Sequence, residues 1–446
     1  MQATTSVFAS AIAAFALASA AHAQTAARPA RPHVVVIVSD DAGYRDFGVQ
    51  GADDIQTPRI DSIAADGVRF TSGYVSGPVC SPSRAGLMTG RYQQRFGHEL
   101  NIPPRYSEDN GLPLTERTIA DEMLAAGYRT IALGKWHLGY ADKFHPLSRG
   151  FARYWGFLQG ARSYFPLKKP TKLNRLLRDR EVQPESFDYM TDELGRQAAA
   201  YIRDRGDEPL FVYLAYNAVH TPMHATEGDL EGLEGAKRRG KLVAMTHALD
   251  RSVGYVLDAL DAEGIADDTL VFFLNDNGGA TNNASDNAPL RGRKGTVWEG
   301  GIRVPFLARW PNGLPKGAVY DKPVIALDIL PTCLAAAGAE RAGELPLDGV
   351  DLLPHVRGAE ADAPHEALLW RHGDAKWAVR CGDWKLVGQG EAAPQLYHLG
   401  DDVGEQRDRA ADEPDRVAEL RSRFETWNAQ LVTPRWRYGK KGAAKK

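Results

Sequence analysis

A chain of 446 residues with 25% charged and 43% hydrophobic side chains has an ordinary globular composition, and its formal net charge of −3 gives neither nucleic acid nor an anionic membrane surface a cationic partner. The length exceeds what one small core organises, so a large domain with a smaller one attached is expected. Three cysteines, Cys80, Cys333 and Cys381, are too sparse for a disulfide scaffold and lack the paired spacing of a zinc site.

The first segment, MQATTSVFASAIAAFALASAAHAQ, is a run of small apolar residues ending in Ala21-His22-Ala23. It reads as a secretory signal peptide cleaved after Ala23, although no Lys or Arg precedes the apolar run. The run is too short and alanine-rich for a membrane span, so no stable membrane insertion is expected. The mature chain is expected in the periplasm or outside the cell, where Cys333 and Cys381 have the opportunity to pair.

HVVVIVSDD, residues 33–41, is a continuous β-branched run closed by two carboxylates, the pattern of a strand buried on both faces. TERTIADEMLAAGY (115–128) has a threonine cap and helical spacing, and RTIAL after it reads as a strand. PLFVYLAY (209–216) predicts a strand, KLVAMTHALDRSVGYVLDALDAEG (241–264) a long helix, and TLVFFLNDN (269–277) a strand ending in polar groups. Alternating helix and strand predict an α/β fold with a mainly parallel sheet covered by helices, whose ligands sit at the carboxyl ends of the strands. From about Leu345 the pattern changes to short strands, EALLWRH, KWAVRCGDWKLV and PQLYHLGDD, with a helix over 412–429. The expected organisation is a signal peptide over 1–23, a catalytic domain over 24–345, and a C-terminal subdomain over 346–446 that ends in the basic tail GKKGAAKK.

The strand ends carry the chemistry. Asp40 and Asp41 side by side gain most from a cation, and Asp276 with Asn277 completes an all-oxygen set suited to calcium or magnesium. Either pair alone reads more simply as a turn; both at the ends of buried strands favour a metal site. Lys135 and His137 in GKWHLG and His220 in HTP also follow strands, and LRGRKGTVWEGG offers Arg291, Arg293 and Lys294 in a glycine-rich loop. A cation, positive groups and two imidazoles around one pocket suit an ester of a strong oxyanion.

CSPSRAGLMTGR, residues 80–91, resembles the signature of the type I sulfatases, in which the cysteine of C-x-P-S-R is oxidised to formylglycine. WAVRCGDWKL and LYHLGDDVGEQRD resemble sulfatase sequence as well. The resemblance implies an alkaline-phosphatase-like fold and one calcium ion held by Asp40, Asp41, Asp276, Asn277 and the modified Cys80. It also implies that Arg84 steadies the aldehyde hydrate, that Lys135 and Lys294 hold sulfate oxygens, and that His137 and His220 act as acid and base groups. A maturation enzyme that generates formylglycine is implied as a partner. The loop PLRGRKGTVWEGGIRVP looks most like the carbohydrate branch, which implies a sulfated carbohydrate substrate, with N-acetylgalactosamine or galactose sulfate favoured. A phosphonate or phosphate monoester hydrolase of the same superfamily and a non-catalytic glycan-binding homologue are the alternatives. Sugar-binding groups at the pocket mouth are sought among His98, Glu99, Asn101, Arg162, Tyr164, Trp370, Arg371 and His372, with His98, Arg162, Arg371 and His372 as the principal candidates. His224 and His247 have no assigned role.

Overall fold

The computed structural model describes residues 31–233, 235 and 237–437. The expected signal peptide, the N-terminal residues up to 30 and the basic tail lie outside the described residues.

Ten strands form one mixed sheet in the order Ala318–Tyr320, Val68–Phe70, Phe306–Arg309, Thr269–Asn275, His33–Ser39, Leu210–Ala215, Arg129–Lys135, Arg153–Phe157, Leu177–Arg178, Glu181–Val182. Its centre is parallel, from Thr269–Asn275 through Arg153–Phe157. The expectation of a mainly parallel sheet holds there, while Phe306–Arg309 and the strands beyond Arg153–Phe157 run antiparallel to their neighbours. Those flanking strands are two to four residues long, too short for a two-residue period to stand out in sequence.

The strand His33–Ser39 shows why the sheet sits in the middle of the molecule. Val34, Val36 and Val38 enter one apolar layer and Val35 and Ile37 the other, all of them fully buried. Strand alternation therefore places hydrocarbon on both faces. Helices Met190–Arg203 and Lys237–Ala262 cover one face, and Cys80–Thr89, Ile119–Ala125 and Ile329–Ala337 cover the other. Ile119–Ala125 begins with a reciprocal cap between Thr118 and Asp121.

Parallel register aligns the carboxyl ends of the central strands. Ser39 pairs with Asn275, Val38 with Ala215, and Gly134 with Ala215. Residues just past these positions consequently emerge at one edge of the sheet.

The C-terminal strands Leu368–His372, Lys376–Cys381, Trp384–Gln389 and Gln395–His398 form an antiparallel sheet, against which the helix Pro414–Asn428 stacks Phe424 on Trp377 with ring centroids 4.4 Å apart. Trp370 is fully buried and donates from Nε1 to the Val75 carbonyl at 2.7 Å, tying this sheet to the segment that leads into Cys80. Cys333 lies in the core helix Ile329–Ala337 and Cys381 at the end of a C-terminal strand, in different apolar clusters. Both are free, so the opportunity for a disulfide is not taken.

Candidate active site

Asp40 and Asp41 follow the strand His33–Ser39 directly, and Asp41 takes a left-handed backbone conformation with φ of 63°. Aspartate tolerates this region better than most residues. The turn is held by the Asp41 carbonyl, which accepts from Asn283 Nδ2 at 3.0 Å and Ser285 Oγ at 2.8 Å. Ligand atoms of Asp40, Asp41, Cys80 and His220 then lie within 4.8 Å of one another. Asp276 and Asn277 follow the adjacent strand, and Asn277 Nδ2 donates to Asp41 Oδ1 at 2.9 Å.

Cys80 is the first residue of a helix whose every side chain is buried. Its Sγ lies 3.5 Å from Asp40 Oδ1 and 3.2 Å from Lys294 Nζ. One turn on, Arg84 donates from Nε to Asp276 Oδ2 at 2.9 Å and from Nη1 to the Lys135 carbonyl at 3.1 Å. Lys135 pairs with Asp40, and Lys294 with Asp41. His220 Nε2 stands 3.6 Å from Asp41 Oδ2, while its Nδ1 is 2.6 Å from the Thr221 carbonyl.

Burying three carboxylates together demands compensating positive charge. Burial opposes ionisation of Asp40, yet Lys135 above all, with His220, Arg84 and Lys294, holds its carboxyl well below the ordinary range. Asp276 is raised by burial and by the charge of Asp40, against the pull of Arg84. Burial, then the charges of Lys135 and Arg84, push His137 well below the usual imidazole value, which favours the neutral ring. Burial and Asp40 push the Cys80 thiol up to about 12, so as a plain thiol it is a poor nucleophile at neutral pH.

The donor set fits a hard divalent cation. Asp276 Oδ1 and Asn277 Oδ1 are buried acceptors without a hydrogen-bond partner, each costing about 1–3 kcal/mol if left unsatisfied. Together with the carboxylates of Asp40 and Asp41 they make an oxygen-rich site of the kind calcium and magnesium take.

The structure thus gathers all ten sequence-selected metal and catalytic candidates but treats the four sugar-binding candidates differently. His98 is fully buried, with Nε2 2.7 Å from Ser81 Oγ, and Ser81 Oγ donates to the His137 carbonyl at 2.7 Å. It therefore braces the Cys80 helix from behind. The Arg162 side chain is fully enclosed, pairs with Glu185 and lies over the rings of Phe157 and Phe187. Arg371 pairs with Glu99 and donates to Asn428 Oδ1 at 2.7 Å. His372 Nδ1 is 3.2 Å from the Glu99 carbonyl, and burial with Lys376 nearby lowers this imidazole to about 4. These contacts are intramolecular, and Arg371 also lines a cavity with Lys376, Trp377 and Asn428. Gly160 was missed by sequence reasoning: a Cβ there would come within 2.4 to 2.8 Å of three His137 ring atoms, and a lone glycine in LQGARS carries no local signal. His137 is itself in a left-handed conformation, with φ of 58°.

Known proteins resemble this chain along most of its length. The Sulfatase family model matches residues 32–339. The N-acetylgalactosamine-6-sulfatase of Canis lupus familiaris is 32% identical over 390 residues, covering 82% of this chain and 73% of the relative. Arylsulfatase J of Mus musculus is 32% identical, covering 83% of this chain and 64% of that protein. The crystal structure of Ps i-CgsB in complex with k-i-k-neocarrahexaose superposes with a TM-score of 0.85 at 35% identity, covering 91% of this chain and 94% of its own. The chain belongs to the sulfatase family and is a sulfuric ester hydrolase with the alkaline-phosphatase-like fold.

Proposed function

We propose that this sulfatase removes sulfate from a sulfated carbohydrate, using a formylglycine made from Cys80 and one calcium ion. N-acetylgalactosamine or galactose sulfate, in glycosaminoglycan or algal-type galactan fragments, is the favoured substrate. The observation that carries the reading is the convergence of Asp40, Asp41, Cys80 and His220 ligand atoms within 4.8 Å, ringed by Arg84, Lys135 and Lys294. The carbohydrate preference is supported by relatives named for N-acetylgalactosamine 6-sulfate and by likeness to Ps i-CgsB, whose crystal structure holds k-i-k-neocarrahexaose.

Asp40, Asp41, Asp276, Asn277 and the modified Cys80 would hold the ion. Bound together, the metal and the hydrated aldehyde supply an acidified oxygen nucleophile for attack on sulfur. Arg84 fixes the Asp276 carboxylate on that side of the pocket. Lys135 and Lys294 bring ammonium groups to the place where the sulfate oxygens carry charge. His220 accepts orientation through Nδ1, held at the Thr221 carbonyl, so Nε2 is the atom that passes a proton to the leaving alcohol. His137, neutral and backed by Gly160, takes a proton from the Cys80-derived group. The buried position of Cys80 limits bulk water at the reacting centre. A formylglycine-generating enzyme in the producing cell and export through the N-terminal segment complete the proposal.

The test is peptide mass spectrometry of the fragment containing Cys80 in active protein, together with sulfate release by wild type and Cys80→Ser. A mass about 18 Da below cysteine, the thiol-to-aldehyde change, is expected in wild type. Cys80→Ser should fold and lose turnover. An unmodified thiol in active enzyme, or wild-type rates in the serine variant, would overturn the mechanism.

A further inference from the structure

We propose that the cavity beyond His220 is a second sulfate-binding subsite, which receives a sulfate on the sugar unit next to the one being desulfated. The proposal rests on the glycan-sulfatase reading above.

A cavity of about 850 Å³ opens where the chain continues from His220 into Thr221, Met223 and His224. Its lining also includes Lys237, Arg238 and Lys241. None of these three cations makes a hydrogen bond or ion pair to a described residue. The contrast with neighbouring arginines is sharp. Arg239 is taken by Asp46 and Asp54, and Arg251 by Asp192 and Asp229. The charged side chains in the cavity lining are Lys237, Arg238 and Lys241.

The cavity begins one residue past His220, at Thr221. Asn282 lines it, and the adjacent Asn283 donates from Nδ2 to the carbonyls of Asp41 and Val219 at 3.0 and 3.2 Å. Since His220 is the proton donor to the leaving alcohol in the proposed mechanism, the sugar bearing that alcohol lies against His220. The unit linked to it then extends along Thr221–His224. Met223 offers an apolar face to a sugar ring, and His224, packed on Phe165 with centroids 5.9 Å apart, offers an imidazole beside it. Charge-assisted contacts from Lys and Arg to a sulfate are the strong component of such recognition. The segment HTPMHA, whose second histidine had no assigned role, acquires one here.

The experiment compares wild type with an Arg238→Ala/Lys241→Ala double variant. Turnover is measured on neocarrahexaose carrying several sulfates and on 4-nitrophenyl sulfate, and hexasaccharide binding is measured by calorimetry at low and high salt. Expected is a rise of about 10- to 100-fold in KM and in dissociation constant for the hexasaccharide, with a weaker salt dependence and unchanged 4-nitrophenyl sulfate kinetics. Unchanged hexasaccharide binding, equal losses on both substrates, or no hexasaccharide binding by wild type would overturn the subsite. Absence of sulfate release by wild type with intact, variant-sensitive binding would instead remove the catalytic reading and leave the subsite standing.

Discussion

Replacing Lys385 by methionine tests how the C-terminal sheet supports the loop that carries Lys294. Lys385 is fully buried, with Nζ 2.8 Å from Glu299 Oε1 and 2.9 Å from Glu405 Oε1. Glu299 ends the Lys294 loop, and its backbone N–H donates to Glu405 Oε2 at 2.8 Å. Farther back in the same loop, Arg291 donates to the Tyr397 hydroxyl at 2.9 Å, and the Gly295 carbonyl accepts from Lys376 at 2.6 Å. Removing one partner of a buried ion pair costs about 3–5 kcal/mol, because the partner charge stays behind uncompensated. Here two carboxylates are left facing each other, although Glu299 keeps the Tyr74 hydroxyl at 2.6 Å and Arg303 at 3.3 Å.

The penalty should depend on pH. Glu405 is raised to about 7 in the folded chain, because burial opposes its ionisation more than Lys385 favours it. A carboxyl raised above its unfolded value of about 4.3 contributes stability that is complete below that value and is lost as pH rises through the folded pKa. Lys385→Met raises Glu405 further, so the variant goes on losing stability above pH 7, by up to about 1.4 kcal/mol per pH unit, after the wild type has levelled off. Urea titrations at pH 6 and pH 8.5, paired with turnover of an aryl sulfate, measure both effects. A deficit that widens at pH 8.5, reduced turnover, and loss of the widening on adding Glu405→Gln are expected. A deficit below about 1 kcal/mol, or one that shrinks with rising pH, would refute the reasoning.

Gly160→Ala should press its new methyl into the His137 ring and lower kcat by about 10- to 100-fold while costing about 1–3 kcal/mol of stability; steady-state kinetics with a denaturation curve check it, and an unchanged kcat would contradict the proposed role of His137. Calcium at about 100 times its dissociation constant should stabilise the wild type by about 2.7 kcal/mol, reversibly by chelation, and this increment should vanish in Asp40→Asn, as read by thermal melting with and without the ion. His365 offers a second pH test. Burial disfavours its charge, but Asp328 Oδ1 at 2.8 Å from Nε2 outweighs burial and raises the imidazole. Its contribution is therefore present below about pH 6.5 and lost as pH rises through the folded value. His365→Gln should cost more stability at pH 5.5 than at pH 8.5, and equal losses in denaturant titrations at the two values would count against it.

Much of this protein was legible in short stretches. The run VVVIV names a strand buried on both faces because every residue is β-branched and none is polar, and the long helix shows its length through its spacing. Asp40-Asp41 and Asp276-Asn277 stand immediately after such strands, so local pattern and the rule of strand ends were enough to bring them together. The CSPSR stretch carried the family resemblance without any geometry.

Other features depend on which distant residues meet. The edge strands leave no period to read, and their antiparallel direction follows from the path of the connecting chain. Aromatic and basic residues in FGHELN, GARSYF and LLWRHG had a composition suited to a sugar, but the folded chain supplies Glu185 to Arg162, Glu99 to Arg371 and Ser81 to His98. Lys385 reaches Glu299 and Glu405 only through the docking of the C-terminal sheet. Sequence alone determined the elements, the order of chemical groups along them and the family, because periodicity and strand-end position are short-range properties. Tertiary structure decided which charges are compensated internally and which remain available, because an ion pair depends on a partner tens or hundreds of residues away.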